Sequence, residues 1–147
     1  MSHAEVQAFF ARYRDAFDRL DGDAVADLWH VPSGIADSPA TAGGWAGGGR
    51  LTWWPDDAPM RANHRALCAL YRGAGYHRAR FEIEASWPLG AHHAAARLRW
   101  TLTRADGSLL QRFHTAYQLI DTASGPKVLL CTAYEENLQE MTPHAAQ

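Results

Sequence analysis

Residues 80–104 read RFEIEASWPLGAHHAAARLRWTLTR. Phe81, Ile83, Ala85 and Trp87 alternate with Arg80, Glu82, Glu84 and Ser86, the two-residue period of a half-buried strand. Ala94, Ala96, Leu98, Trp100 and Leu102 repeat that period, alternating with Ala95, Arg97, Arg99, Thr101 and Thr103. Pro88, Leu89 and Gly90 mark the turn between the two strands. One register sets Glu84 against Arg97, Glu82 against Arg99, Ile83 against Leu98 and Phe81 against Trp100. Charges then meet on one face and apolar side chains on the other.

Moving outward, Asp106-Gly107 between Thr103-Arg104 and Leu109-Leu110 is a two-residue hairpin signal. Counting back from that turn places Trp100 opposite Phe113, Leu98 opposite Thr115 and Ala96 opposite Tyr117. Arg99 meets His114 and Thr101 meets Arg112 on the other face, so the two hairpins agree in parity. A third turn at residues 122–126 leads into Val128–Tyr134. Its expected register puts Val128, Leu130, Thr132 and Tyr134 on the face of Phe113, Thr115, Tyr117 and Leu119. The sheet therefore has an apolar face with a few hydroxyls and a polar face with Arg97, Arg99 and Arg112. The apolar face needs a cover.

The N-terminal half supplies helices. Ser2 and Glu5 have capping-box spacing, and Val6, Phe9, Phe10, Tyr13, Phe17 and Leu20 recur at helical spacing after them. Asp21-Gly22-Asp23 breaks that helix and caps a second one expected to run through Trp29. A short strand is expected near Gly34–Asp37 and another at Leu51–Trp54. A third helix is expected from Pro59 to Arg72, with Met60, His64, Leu67 and Tyr71 on one stripe and Gly73 at its end. The glycine-rich residues 38–50 form a loop in which Trp45 either anchors itself in a groove or closes over a pocket. The tail after Tyr134 is polar and expected to fray. The element order predicts an α+β fold: three N-terminal helices packed on a strongly curved antiparallel sheet, shaped as a cone.

At 147 residues the chain suits one domain with a substantial core, spanning 1–147. A formal net charge of −2 and the lack of a basic block argue against a nucleic-acid or membrane-surface partner. Cys68 and Cys131 read as buried thiols in a reducing cytoplasm. His92 and His93 are neighbours and point to opposite faces of a strand, so they cannot share a metal. His64 and Cys68 make only two ligands, so no metal is expected.

The order of elements, with FFARYRDAFDRLDGDAVADLWHVP at the front and ARLRWTLTRADGSLLQRFHTAYQLID near the back, resembles the nuclear transport factor 2-like superfamily. That group includes ketosteroid isomerase, SnoaL-like polyketide cyclases, scytalone dehydratase and limonene epoxide hydrolase. The resemblance covers about Val6 to Glu135 and implies a cystatin-like roll with a cavity between helices and sheet. It also implies a homodimer formed through the outer sheet face. Its members isomerise, cyclise, dehydrate, hydrolyse or only bind, so the fold leaves the function open. Ketosteroid isomerase uses an aspartate base with a tyrosine and a protonated aspartate as oxyanion donors. By resemblance the base falls at Asp37 and the tyrosine near Tyr13. The second aspartate falls near Ala116 or Tyr117, where this chain has no carboxylate.

Two proton-transfer candidates follow, each with a plainer alternative. His64 is either a general base facing the cavity or a core histidine with a hydrogen-bonding partner. Asp37 is either a base or a turn residue before Ser38-Pro39. Trp29 and Trp100 are expected as apolar walls, Thr115, Tyr117, Thr132 and Tyr134 as cavity hydroxyls, and Tyr13 and Tyr134 as substrate-orienting groups. The alternative is a filled core whose hydroxyls satisfy one another. The expected activity is cofactor-free acid–base chemistry on a largely apolar small molecule, or binding of such a ligand without chemistry.

Overall fold

The computed structural model describes residues 1–37 and 48–134. The expectations for Trp45, for most of the 38–50 loop and for the tail after Tyr134 fall outside the described residues. Helix α1 spans His3–Asp18, α2 Gly22–Ala26 and α3 Asp57–Gly73. Strands β1 (Trp29–Asp37), β2 (Arg50–Trp54), β3 (Tyr76–Leu89), β4 (His93–Arg104), β5 (Leu109–Thr122) and β6 (Gly125–Tyr134) form one sheet in the order β2-β1-β6-β5-β4-β3. Three helices on a curved six-stranded sheet make the expected α+β architecture. Among the described residues no helix is long and apolar enough to cross a membrane.

Helix α1 begins where the capping box places it. The Glu5 amide donates to Ser2 Oγ at 3.1 Å, satisfying one of the first-turn donors. Its apolar stripe, Val6, Phe9, Phe10, Tyr13 and Phe17, is buried against the inner sheet face. Phe10 lies 4.7 Å from Tyr117 and Tyr13 lies 6.0 Å from Trp100, centroid to centroid. Each fully buried Phe of this stripe contributes about 1.5–3 kcal/mol of apolar transfer. Asp18 then ties the end of α1 to β3, accepting from the Tyr76 hydroxyl at 2.7 Å and the Ala79 amide at 2.9 Å.

The second helix is shorter than expected. Asp21 caps it by accepting from the Ala24 amide at 3.0 Å, but it ends at Ala26, and Trp29 opens β1 instead. The reason is pairing: Trp29 lies opposite Val128 of β6 in a parallel ladder, which also takes in Gly34, Ile35 and Ala36. Helix α2 packs so closely on α3 that a Cβ on Gly22 would lie 2.6 Å from Arg65 Cα. Arg61 of α3 locks the pair, reaching Asp23 at 3.2 Å, Asp27 at 2.8 Å and Asp57 at 3.0 Å.

The two main hairpins pair as the alternation predicts, with Phe81 opposite Trp100, Ile83 opposite Leu98, Trp100 opposite Phe113, Leu98 opposite Thr115 and Ala96 opposite Tyr117. The turn of the second hairpin is one residue longer than the expected Asp106-Gly107 pair: the Arg104 amide donates to the Ser108 carbonyl and the Gly107 amide to the Arg104 carbonyl, each at 2.9 Å, with Gly107 at φ 86°. A bulge at Leu110 absorbs the extra residue, since Thr103 faces Leu109 but Leu102 faces Gln111, and so restores the expected pairs. Asp106 Oδ1 accepts from the Ser108 amide at 2.9 Å. Arg97, Arg99 and Arg112 are exposed on the outer face.

Two further β-bulges correct the rest. Ile83 faces Leu98 but Ala85, not Glu84, faces Arg97. Glu84 is the extra residue, and its carboxylate lies 3.5 Å from His114 instead. One inserted residue reverses the faces beyond it. Ser86 therefore turns inward to hydrogen-bond with the His3 imidazole, while Trp87 is 50% exposed on the outer face. The second bulge, at Leu129, has the same effect on β6. Leu119 faces Val128 but Gln118 faces Leu130 and Tyr117 faces Cys131. Leu130, Thr132 and Tyr134 accordingly lie on the outer face, and Cys131 and Ala133 take the inner positions. Thr132 and Tyr134 are thus not cavity hydroxyls; the Tyr134 ring stacks on His114 at 5.4 Å.

Candidate functional site

Inner-face side chains of β1, β4, β5 and β6 meet α1 and α3 around a cavity of about 490 Å³. It is large enough for a small organic ligand. Tyr13, Trp29, Asp37, His64, Trp100, Thr115 and Tyr117 all line it. Its character differs from wall to wall.

The floor is a closed polar cluster. Trp100 Nε1 donates to Thr115 Oγ1 at 3.0 Å and to the Tyr117 hydroxyl at 3.2 Å. All three residues are buried, and burial pushes the Tyr117 and Tyr13 phenols well above their ordinary range. Both therefore stay protonated at neutral pH and act as neutral hydrogen-bonding groups. On this wall both hydroxyl oxygens accept from the same indole N–H.

The rim carries the ion pair of Asp37 and Arg50. Arg50 Nε donates to Asp37 Oδ1 at 2.9 Å and Nη2 to Oδ2 at 2.8 Å. Asp37 sits on β1 opposite Arg50 on β2, so hairpin pairing itself sets this geometry. The two-point guanidinium fork engages both carboxylate oxygens of Asp37 as acceptors.

His64 occupies the opposite wall. It comes from the buried stripe of α3 and is 1% exposed. The Trp29 ring lies 4.5 Å away and the Trp54 ring 5.8 Å away. Among the described residues, neither His64 nitrogen has a hydrogen-bond partner. Burial, with a smaller push from Arg61, lowers its pKa to about 4. The imidazole is consequently neutral across the physiological range, with one donor and one acceptor unspent. Trp29 Nε1 comes close enough to the Tyr13 hydroxyl to ease its ionisation slightly, yet completes no well-formed hydrogen bond.

Several lining residues escaped the reading of the sequence. Cys131 and Ala133 reach the cavity only because of the Leu129 bulge. Gln111 is buried and inward, opposite Leu102; continuing the alternation two residues back from Phe113 would have found it. Tyr71 and Tyr76 stack at 5.4 Å beside the cavity, bringing together a helix and a strand that no sequence period connects. Among the described residues, no three His, Cys, Asp or Glu side chains converge as metal ligands.

Residues 4–136 match the family described as NTF2-like protein (DUF6841). The chain belongs to this NTF2-like family. A comparison with curated protein sequences finds no match. Solved structures share the fold of this NTF2-like chain at low identity. An NTF2-like protein of Shewanella oneidensis MR-1 has TM-score 0.68 and 12% identity, with 90% of this chain and 98% of that one covered. A ketosteroid isomerase-like protein of Erwinia carotovora atroseptica SCRI1043 has TM-score 0.62 and 16% identity, covering 88% and 92%. An NTF2-like protein with a cystatin-like fold from Novosphingobium aromaticivorans has TM-score 0.62 and 19% identity, covering 88% and 79%. At such identities the likeness concerns the fold, and the NTF2-like chain's own side chains must carry any functional argument.

Proposed function

We propose that this NTF2-like protein binds a small, largely apolar molecule in the cavity between α1, α3 and the sheet. The observation that carries this reading is the cavity of about 490 Å³, whose walls are mostly aromatic and aliphatic. Space of that size argues against a core that is simply packed. The polar floor is tied together by the Trp100 N–H, and the remaining walls are apolar, so the ligand's bulk needs to be apolar rather than a dense array of hydroxyls. Native mass spectrometry of the purified protein tests the proposal, together with calorimetric titration of 2-ethylnaphthalene. Binding to the wild type that is lost in a cavity-filling Ala133→Phe variant supports it. Equal binding to both, or none to the wild type, rejects it.

A second reading is cofactor-free isomerisation, cyclisation or dehydration with His64 moving the proton. What favours it is an unpartnered imidazole with a displaced pKa inside a cavity. What weighs against it is the direction of that displacement, since a base of pKa about 4 is poorly matched to neutral pH. Asp37 has both carboxylate oxygens engaged by Arg50. Binding is therefore the reading we favour.

We also propose that a second copy of the chain covers the outer sheet face. Trp87 is 50% exposed there, on the same face as the mixed charges of Glu82, Arg97, Arg99 and Arg112. A twofold interface matches such a mixture to itself. Sedimentation of Trp87→Lys and Arg99→Glu variants is expected to show weakened association; unchanged association of both would place any interface elsewhere.

A further inference from the structure

Resting on the binding reading above, we propose that Gln111 is the polar anchor of the cavity, and that its ligand carries one uncharged group that both accepts and donates a hydrogen bond, as a carboxamide or lactam does, on an otherwise apolar body. Gln111 stands near the start of β5, opposite Leu102 of β4, and lines the cavity. The whole residue is only 3% exposed. Among the described residues its carboxamide has no hydrogen-bond partner, yet neither amide atom is sealed from open space as the His64 nitrogens are. On the inner face of the sheet that space is the cavity. The neighbours of Gln111 there are apolar: Phe113 two residues on, Leu102 across the ladder, and Ala79 beyond Leu102 on β3. A buried amide with no partner costs stability, and a Leu or Met at this position would suit those neighbours without that cost.

The chemistry of the ligand group follows from the amide and from what surrounds it. A carboxamide donates from Nε2 and accepts at Oε1, so a single partner satisfies it only by having both functions. The polar groups of the same region are engaged elsewhere. Trp100 donates to Thr115 and Tyr117, the Tyr76 hydroxyl donates to Asp18, and Arg104 donates to the Ala74 and Leu109 carbonyls and to Ser108 Oγ. The ligand group is uncharged because the lining gives an ion no counter-charge. Asp37 and Arg50 bind each other, and the His64 imidazole is neutral at physiological pH. A flat amide set against the Gln111 amide makes two parallel hydrogen bonds, and the aromatic and aliphatic walls take the rest of the ligand.

The test titrates naphthalene-2-carboxamide, 2-acetylnaphthalene and 2-ethylnaphthalene into wild-type protein and into Gln111→Met, which keeps the length of the side chain and removes the amide. The first probe donates and accepts, the second only accepts, and the third does neither. Each affinity is taken relative to 2-ethylnaphthalene in the same protein, and comparing these ratios between proteins cancels differences in water solubility. Gln111→Met is expected to weaken the carboxamide about thirtyfold and the ketone about fivefold, two hydrogen bonds against one. In the wild type the Gln111 side-chain 1H–15N signals, assigned by their absence from Gln111→Met, are expected to move downfield with the carboxamide and to stay in place with 2-ethylnaphthalene. If 2-ethylnaphthalene binds but the ratios are the same in both proteins, the anchor is wrong and the amide holds water only, while the pocket stands. Equal losses for ketone and carboxamide overturn the two-point pairing. If none of the three binds the wild type, pocket and anchor fall together. Should Gln111→Met fail to melt cooperatively, the wild-type signals decide, and a bound carboxamide that leaves them in place overturns the anchor.

Discussion

Asp37 and Arg50 grip each other through two parallel hydrogen bonds of 2.9 and 2.8 Å across the β1–β2 ladder, at the rim of the cavity. The residue that resemblance would make a catalytic base thus has both carboxylate oxygens engaged by a guanidinium. The pair is partly solvated, with side-chain exposures of 56% for Arg50 and 26% for Asp37. A double-mutant cycle of Asp37→Asn and Arg50→Gln, followed by urea denaturation, is expected to give a coupling of about 0.5–1 kcal/mol. A coupling near zero would mean the fork does not persist in solution.

The forked donation from Trp100 predicts non-additivity. Removing one acceptor, by Thr115→Val or Tyr117→Phe, leaves the indole N–H with the other. Removing both orphans a buried donor. The double variant is expected to be less stable than the sum of the singles by about 1–2 kcal/mol, read from denaturant midpoints. Strict additivity would contradict a shared donor.

His64 predicts an acid limb. Its pKa falls from an ordinary 6.5 to about 4 in the folded protein. Between those values the unfolded chain binds the extra proton, so stability rises with pH. The contribution is complete above about pH 6.5 and is lost as pH falls toward 4, in total about 3 kcal/mol. Denaturant midpoints of His64→Phe between pH 7 and pH 4.5 should decline less than those of the wild type. Parallel declines would show that the imidazole protonates freely in the folded state.

Helix contact predicts a sharp contrast between two glycines. Gly22→Ala drives a Cβ to 2.6 Å from Arg65 Cα and should cost about 1–3 kcal/mol. Gly73→Ala meets nothing within 4 Å at the end of α3 and should be neutral or slightly stabilising, by about 0.5 kcal/mol. Thermal melts of the two variants check both signs.

Local chemistry accounts for what could be read from the chain alone. Ser2 and Asp21 cap helices because their side chains reach amides three residues on. Phe81 meets Trp100, and Ile83 meets Leu98, because a strand has period two; Trp100 meets Phe113 because a bulge at Leu110 absorbs the extra residue of the turn at Asp106-Gly107. Those facts suffice to put His64, Tyr13, Trp100, Thr115 and Tyr117 around a shared interior.

Tertiary structure decided the rest, for two physical reasons. A bulge costs little locally, so its position is chosen by packing across the sheet. No alternation in the sequence shows that Glu84 and Leu129 are the extra residues, and these two insertions put Trp87, Thr132 and Tyr134 outside and Cys131 inside. Pairing between distant segments is likewise a property of the whole fold. Trp29 leaves the helix for β1 because β6, about a hundred residues later, offers it a parallel ladder. That ladder sets the Trp29 indole beside the His64 imidazole, a juxtaposition that periodicity within either segment cannot encode.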